Sequence, residues 1–315
     1  MNRRQALTYY VLLACSLVVA LLAHAADTRS GSWTMSKGDA DGTVDFGLIS
    51  RQHGGSSHHE SEWPLSAFQG LDYTKAGKQD VKFAIVRDAG RFDCQGYLES
   101  GEGAGTFHFS ADARYLTQMS AIGFGGIDDD RQYEMALLDV SLQFAKEIKA
   151  ENLHGLDTDK LIAFKIHGVS PAFIEGLRKE GLAADDSDNL IAFRIHGVSP
   201  EFVGSLKKLG YSRLDDDQLI AFRIHGVSPE FVQGFEKLGY PQLEPDQLIA
   251  FRIHGVSPEF VEKLHGLGYG NPTADELIAM RIHGVSPEYI SEMKARGIKD
   301  LTIAQLVNMR IHGID

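Results

Sequence analysis

His53, His58, His59 and Glu60 crowd into one short stretch, and imidazole and carboxylate are ligands that a borderline metal such as zinc or copper takes. Their spacing completes no metal signature: His59-Glu60-Ser61-Glu62-Trp63 lacks the second His that a zinc-protease helix requires. The Gly/Ser/His-rich segment Arg51–Glu62 reads as a mobile loop or an extended insertion. Neighbouring side chains in such a loop are mostly solvated, so adventitious metal binding ranks above a structural or catalytic site. Asp88, Arg91 and Asp93 are the nearest additional groups for a site in this region. No Ser-His-Asp, Cys-His or paired-carboxylate set follows from spacing, so no catalytic residue and no cofactor is assigned.

A second set of histidines is periodic. His167, His196, His225, His254, His283 and His312 recur every 29 residues, each six residues after a Leu and directly before a Gly. Stacked helices lie roughly 8–10 Å apart, too far for adjacent members to share a metal. Each is expected in the last turn of a helix, where the helix dipole favours imidazolium and a ring N–H can reach a free carbonyl. A pH-responsive row is the sharper reading, given the intrinsic titration range of His.

A third set pairs opposite charges. Arg194, Arg223, Arg252 and Arg281 are each followed seven residues later by Glu201, Glu230, Glu259 and Glu288, whereas Lys165 is followed by Ala172. The co-occurrence predicts a salt bridge across the turn within each repeat, with the Arg fork facing a carboxylate. Recent duplication copying both residues together is the competing explanation.

These residues are positioned by a repeat of fixed 29-residue period with clear copies from Leu161, the signature of stacked supersecondary units. In one copy, Asp215–Asp217 supply cap acceptors and negative charge, Leu219–Ile224 follow, and Gly226 stops the first helix. Ser228 then caps a second helix with Pro229 as its first residue, and Phe231, Val232, Phe235 and Leu238 form its apolar stripe. The first helix is apolar on nearly every side, so neighbouring repeats are expected to cover it. Outward positions of the second helix vary between copies, as in Glu175, Gly204, Gln233, Glu262 and Ser291, and are the expected contact residues. Degenerate copies extend the register back to about Asp112. Upstream, Thr43–Ser50, Asp80–Asp88, Arg91–Glu99 and Gly105–Ser110 alternate as half-buried strands. The reading is α+β: a β-rich domain over 27–110 and an α-helical repeat array over 111–315.

The N-terminus adds a location. Asn2, Arg3 and Arg4 precede an apolar run to Ala23, and Ala23-His24-Ala25 offers small residues for cleavage. Residues 1–25 therefore read as a signal peptide, which implies a periplasmic or secreted protein without stable membrane insertion after cleavage. The remaining chain carries 29 Lys/Arg against 43 Asp/Glu, a net charge of −14, which opposes nucleic-acid and anionic-lipid partners. It retains only Cys94, so no internal disulfide contributes to folding.

The phrase Leu-Ile-Ala-Phe-Arg-Ile-His-Gly-Val-Ser-Pro-Glu-Phe-Val resembles repeats of bacterial secreted proteins, and is similar to the repeat tails of β-lactam-sensor-type membrane metallopeptidases. The likeness covers about 161–315, and Val81–Phe109 resembles the β region that precedes such repeats in stand-alone secreted relatives. It implies a bacterial extracytoplasmic protein. It carries no catalytic residue across, because the peptidase zinc motif and membrane spans are absent from this sequence. The function expected is a non-enzymatic binding or scaffold protein whose repeats meet a protein or peptide partner. The alternative is a metal-dependent sensor or enzyme with its site in the β domain.

Overall fold

A computed structural model describes residues 28–52, 55–75, 77–298 and 300–314. The expected signal peptide and His53 lie outside the described residues. The chain is α+β, an antiparallel sheet followed by helical hairpins. Its compact units divide between Ile166 and His167. The change from strand to helix comes earlier, at residues 111–113, close to the expected boundary at 110/111.

The sheet has six strands, β1 (Thr28–Lys37), β2 (Thr43–Gln52), β3 (Gly55–Pro64), β4 (Gln79–Arg87), β5 (Gly90–Glu99) and β6 (Glu102–Ala111), in the order β3-β2-β1-β6-β5-β4. Two antiparallel meanders are thus joined through the β1–β6 pair. Alternation sends Trp33, Met35, Phe46, Leu48, Trp63, Phe83, Ile85, Phe92 and Phe109 to the buried side. An aromatic cluster fills it: Phe46 lies 4.9 Å from Phe68 and Trp33 5.1 Å from Phe83 between ring centroids. Trp33 can lie flat there because Gly96 and Gly105 face each other beneath it. A Cβ on either would come within 2.8 Å of the indole.

Two strands escaped sequence reading. The described part of Arg51–Glu62 is strand where a mobile loop was expected: Arg51 and Gln52 end β2 and Gly55–Glu62 lie in β3, which pair from Thr43–Pro64 to Gln52–Gly55. The polar, His-rich composition hid a strand in which His58, Glu60 and Glu62 are exposed while His59 and Ser61 are half-buried and Trp63 is buried. β1 was masked in the same way by serines around Gly31, Trp33 and Met35.

Helices α1 (Ala113–Ile122), α2 (Asp129–Leu137) and α3 (Leu142–Ala150) follow, capped by Asp112, Asp128 and Ser141. They stand 29 residues before their counterparts, so the repeat register does reach back to Asp112. Helix α2 is tied to the sheet by the buried Gln132 side chain, which donates to the carbonyls of Ala89 (2.8 Å) and Asp112 (2.9 Å). Tyr133 adds edge contacts to Phe92 and Phe109. Helix α4 (Thr158–His167) runs to the division between units.

In the second unit, each repeat supplies an A helix and a B helix. The A helices are α6 (Ser187–His196), α8 (Asp216–His225), α10 (Pro245–His254), α12 (Ala274–Ile282) and α14 (Ile303–Ile311). The B helices are α5 (Pro171–Lys179), α7 (Pro200–Lys208), α9 (Pro229–Lys237), α11 (Pro258–Gly266) and α13 (Pro287–Ala295). Each A helix packs on the next A helix and each B helix on the next B helix. Every B helix begins with a Ser whose hydroxyl accepts from the N–H three residues on, followed by Pro. Buried Leu and Phe of the A helices face buried Phe, Val and Leu of the B helices. The fold thus confirms the hairpin reading, and leaves one apolar residue per A helix uncovered.

Candidate functional site: the turn edge of the repeat array

That uncovered residue is the Ile before each His. Ile195, Ile224, Ile253, Ile282 and Ile311 are 54–57% exposed, and Ile166 in the first unit is 55% exposed. Each A helix inserts one face between its neighbours, as Leu219 and Phe222 show. In the last turn the Phe stays buried, as Phe222 does, while the Arg, Ile and His that follow it turn to the other face and stand in water or reach along the stack. The expectation that neighbours cover all of helix A is corrected at this turn.

The Arg residues reach backwards by one repeat. Arg194 Nε donates to His167 O at 3.0 Å, Arg223 Nε to His196 O at 3.3 Å, Arg252 Nε to Gly226 O at 2.6 Å and Arg281 Nε to His254 O at 3.3 Å. Each guanidinium also lies over the Phe of the preceding B helix, with Arg252 4.2 Å from the Phe231 centroid. A planar cation here satisfies free carbonyls at the negative end of the preceding A helix and stacks on an aromatic face. The expected salt bridge across the turn is therefore replaced by a contact between repeats. Glu201, Glu230, Glu259 and Glu288 instead bond the Ser that caps their own helix, which holds each carboxyl below its usual range; for Glu288 the backbone bond leads and Lys263 adds a further contribution. All four are exposed.

The ladder histidines sit where the sequence placed them. His167, His196, His225 and His254 end their helices, and His283 and His312 occupy the cap position itself, each before a left-handed Gly. The main-chain carbonyls of His167, His196 and His254 accept three of the Arg contacts given above, and Gly226 accepts the fourth.

The sheet unit offers two concave regions. On its outer side, Ser30 Oγ lies 3.1 Å from His108 Nδ1, and Asp93 is the partner of His108 on the next strand. Spacing gave no hint of this Ser-His-Asp row. Its carboxylate is engaged by Arg91 Nε at 2.7 Å, and all three residues are exposed on the polar side of the sheet. Asp88 supports the fold, accepting from Leu142 N–H at 2.8 Å.

On the inner side, a cleft of about 830 Å³ opens between β3, β4 and α2, lined among others by His59, Trp63, Arg87, Tyr133, Asp139 and Lys165. Arg87 lies over Trp63 (4.9 Å) and pairs with Asp139 (3.1 Å), while Arg29 lies over Tyr133 and pairs with Asp130. Lys165 stacks on Phe144 at 4.9 Å, and burial lowers its pKa.

His58 and Glu60 share the outer side of β3, whereas His59 points inward, where burial and then His58 lower its pKa. Strand alternation thus separates His59 from His58 and Glu60, whose Nε2 and Oε2 lie 3.3 Å apart. Among the described residues, no three His, Cys, Asp or Glu are grouped to hold a metal. No helix among them is long and apolar enough to cross a membrane. Cys94 is buried, and burial pushes its thiol well above the usual range.

Scanned against known protein families and against curated proteins, the chain matches none.

Proposed function

We propose that this is a non-enzymatic extracytoplasmic binding or scaffold protein whose repeat array meets a protein or peptide partner along the turn edge. One observation carries the reading. The exposed Ile-His pair is kept in all six copies, while the buried Phe two residues before the Ile becomes Met280 and Met309 in the last two. An aliphatic side chain half in water adds little to folding, so packing does not account for its retention. Duplication alone does not account for it either, because outward helix-B positions diverged among the same copies as Gly204, Gln233, Glu262 and Ser291. A regular row of exposed isoleucines is what a partner-binding surface requires. The contact residues are thus drawn from the A-helix termini, where sequence reading had favoured helix B. The basic, apolar and small-residue order of residues 1–25 and the likeness to bacterial secreted repeats support export.

A photo-cross-linking residue placed at Ile224 or Ile253 in the native cell should capture protein, and the same residue at Gln233 or Glu262 should capture little. Adducts confined to the helix-B positions, or none from either set, would remove the reading.

A further inference from the structure

We infer that the partner on this edge is a second copy of the same chain, an inference that rests on the binding role proposed for the Ile row. The argument is the charge pattern around that row. Each Arg lies over the Phe that directly follows the preceding repeat's Glu: Arg223 over Phe202 beside Glu201, Arg252 over Phe231 beside Glu230, Arg281 over Phe260 beside Glu259. Acid and base therefore alternate along the edge as Glu201, Arg223, Glu230, Arg252, Glu259, Arg281 and Glu288.

A row that carries both signs once in every period can meet a reversed copy of itself with Arg opposite Glu. That is the requirement for an isologous interface, which must match its own surface under a two-fold rotation. The isoleucines share the same period, so whatever contact one repeat makes with the other copy recurs at every repeat along the edge. Five Arg, Arg194 to Arg310, the last lying over Tyr289 beside Glu288, stand against four Glu, Glu201 to Glu288, so the edge is close to balance in a protein of net charge −12. The turn edge is thus a surface on which two copies can approach without the repulsion their overall acidity imposes. A strongly basic or strongly acidic partner would find half of these side chains of its own sign. Ile195 to Ile311 supply the apolar contact, and the Phe-stacked, carbonyl-bonded guanidiniums are already ordered, which lowers the entropy lost on association.

The test uses the full mature chain in sedimentation equilibrium. A concentration-dependent dimer is expected, weakened about tenfold by Ile253→Asp and about a hundredfold by Ile224→Asp with Ile253→Asp, with the far-ultraviolet dichroism unchanged because these positions are exposed. Ile253→Cys should form a disulfide-linked dimer under mild oxidation, and Gln233→Cys should not, with buried Cys94 contributing little background. A monomer at all concentrations, or a dimer indifferent to both Asp substitutions, overturns the inference. If the chain is monomeric yet a cross-linker at Ile224 captures a different protein, the second copy is ruled out while the binding role stands. If neither occurs, both fall.

Discussion

Trp33 and Phe222 are both fully buried aromatics, and they are held in opposite ways. Around Trp33 the contacts come from distant segments: Phe46 and Phe83 flank the indole, and its N–H donates to Gln95 O at 3.2 Å across 62 residues of chain. Around Phe222 every tie belongs to its own or an adjacent repeat. Tyr211 O–H reaches Leu243 O, Arg223 reaches His196 O and Arg252 reaches Gly226 O, at separations of 26 to 32 residues. The sheet unit closes over one shared interior, whereas the array passes stability from neighbour to neighbour. A residue's role is therefore set globally in the first unit and by its place within the period in the second.

The sharpest way to break this contrast is to remove each ring. Trp33→Ala and Phe222→Ala should each cost about 3–5 kcal/mol. Hydrogen exchange followed by mass spectrometry should show protection lost over all six strands for Trp33→Ala. For Phe222→Ala the loss should centre on residues 190–255 and spare α14. Spread of the Phe222→Ala effect through the entire array at equal amplitude would mean that the repeats do not fold as a neighbour-coupled series.

The same contrast explains what the sequence made legible. Capping Ser, first-turn Pro and left-handed Gly recur at fixed spacing, and local physics places the hairpins from them without reference to the rest of the chain. The strands could be read only where apolar alternation was strong. β1 and β3 each carry few large inward residues among serines, histidines and glutamates, so their membership depends on pairing partners that composition does not name. The Arg–Glu spacing was visible but its meaning was not, because the true partner lies one repeat back, outside the window that a within-turn argument considers. The exposed Ile was in view as well. Periodicity marks it as apolar, and only the packed structure shows that it lies on the face of helix A opposite the buried Phe. A second ladder, Tyr211, Tyr240 and Tyr269, had the same 29-residue signal and links successive repeats through Leu243, Pro272 and Leu301 carbonyls.

A finer test concerns what the Arg does. Arg252→Ala should destabilise the array by about 1–2 kcal/mol, combining a lost stack on Phe231 with a lost charge-assisted bond to Gly226 O. Arg252→Lys should recover only part, since an ammonium lacks the planar fork. Glu230→Ala should change stability by less than about 0.5 kcal/mol. A double-mutant cycle between Arg223 and Glu230, monitored by urea unfolding, should show negligible coupling. A coupling near 1 kcal/mol would restore the salt bridge within the turn and make each repeat more self-contained than its geometry indicates.

The smallest effect expected is a dependence on alkaline pH specific to the tyrosine ties. Tyr240 O–H donates to Pro272 O at 2.7 Å, and burial, with Glu276 adding to it, pushes its pKa up to about 12; burial raises Tyr211 to about 12 as well. An unfolded tyrosine ionises near pH 10. Because the folded pKa is the higher one, the tie contributes fully below about pH 10 and is lost as the pH rises from there toward 12. Tyr240→Phe should therefore lower stability by at most about 1 kcal/mol at pH 8, the worth of one neutral hydrogen bond. The gap between wild type and variant should close as the pH approaches 11 in thermal melts followed by circular dichroism. Taking the difference between the two proteins cancels the sheet unit's own buried tyrosines, Tyr115 and Tyr133, whose pKa values are also raised. The absence of any gap at pH 8 would mean that Tyr240 acts only through its ring, whose edge meets Phe235 of its own repeat, and a gap unchanged up to pH 11 would mean that ionisation of the hydroxyl does not break the tie.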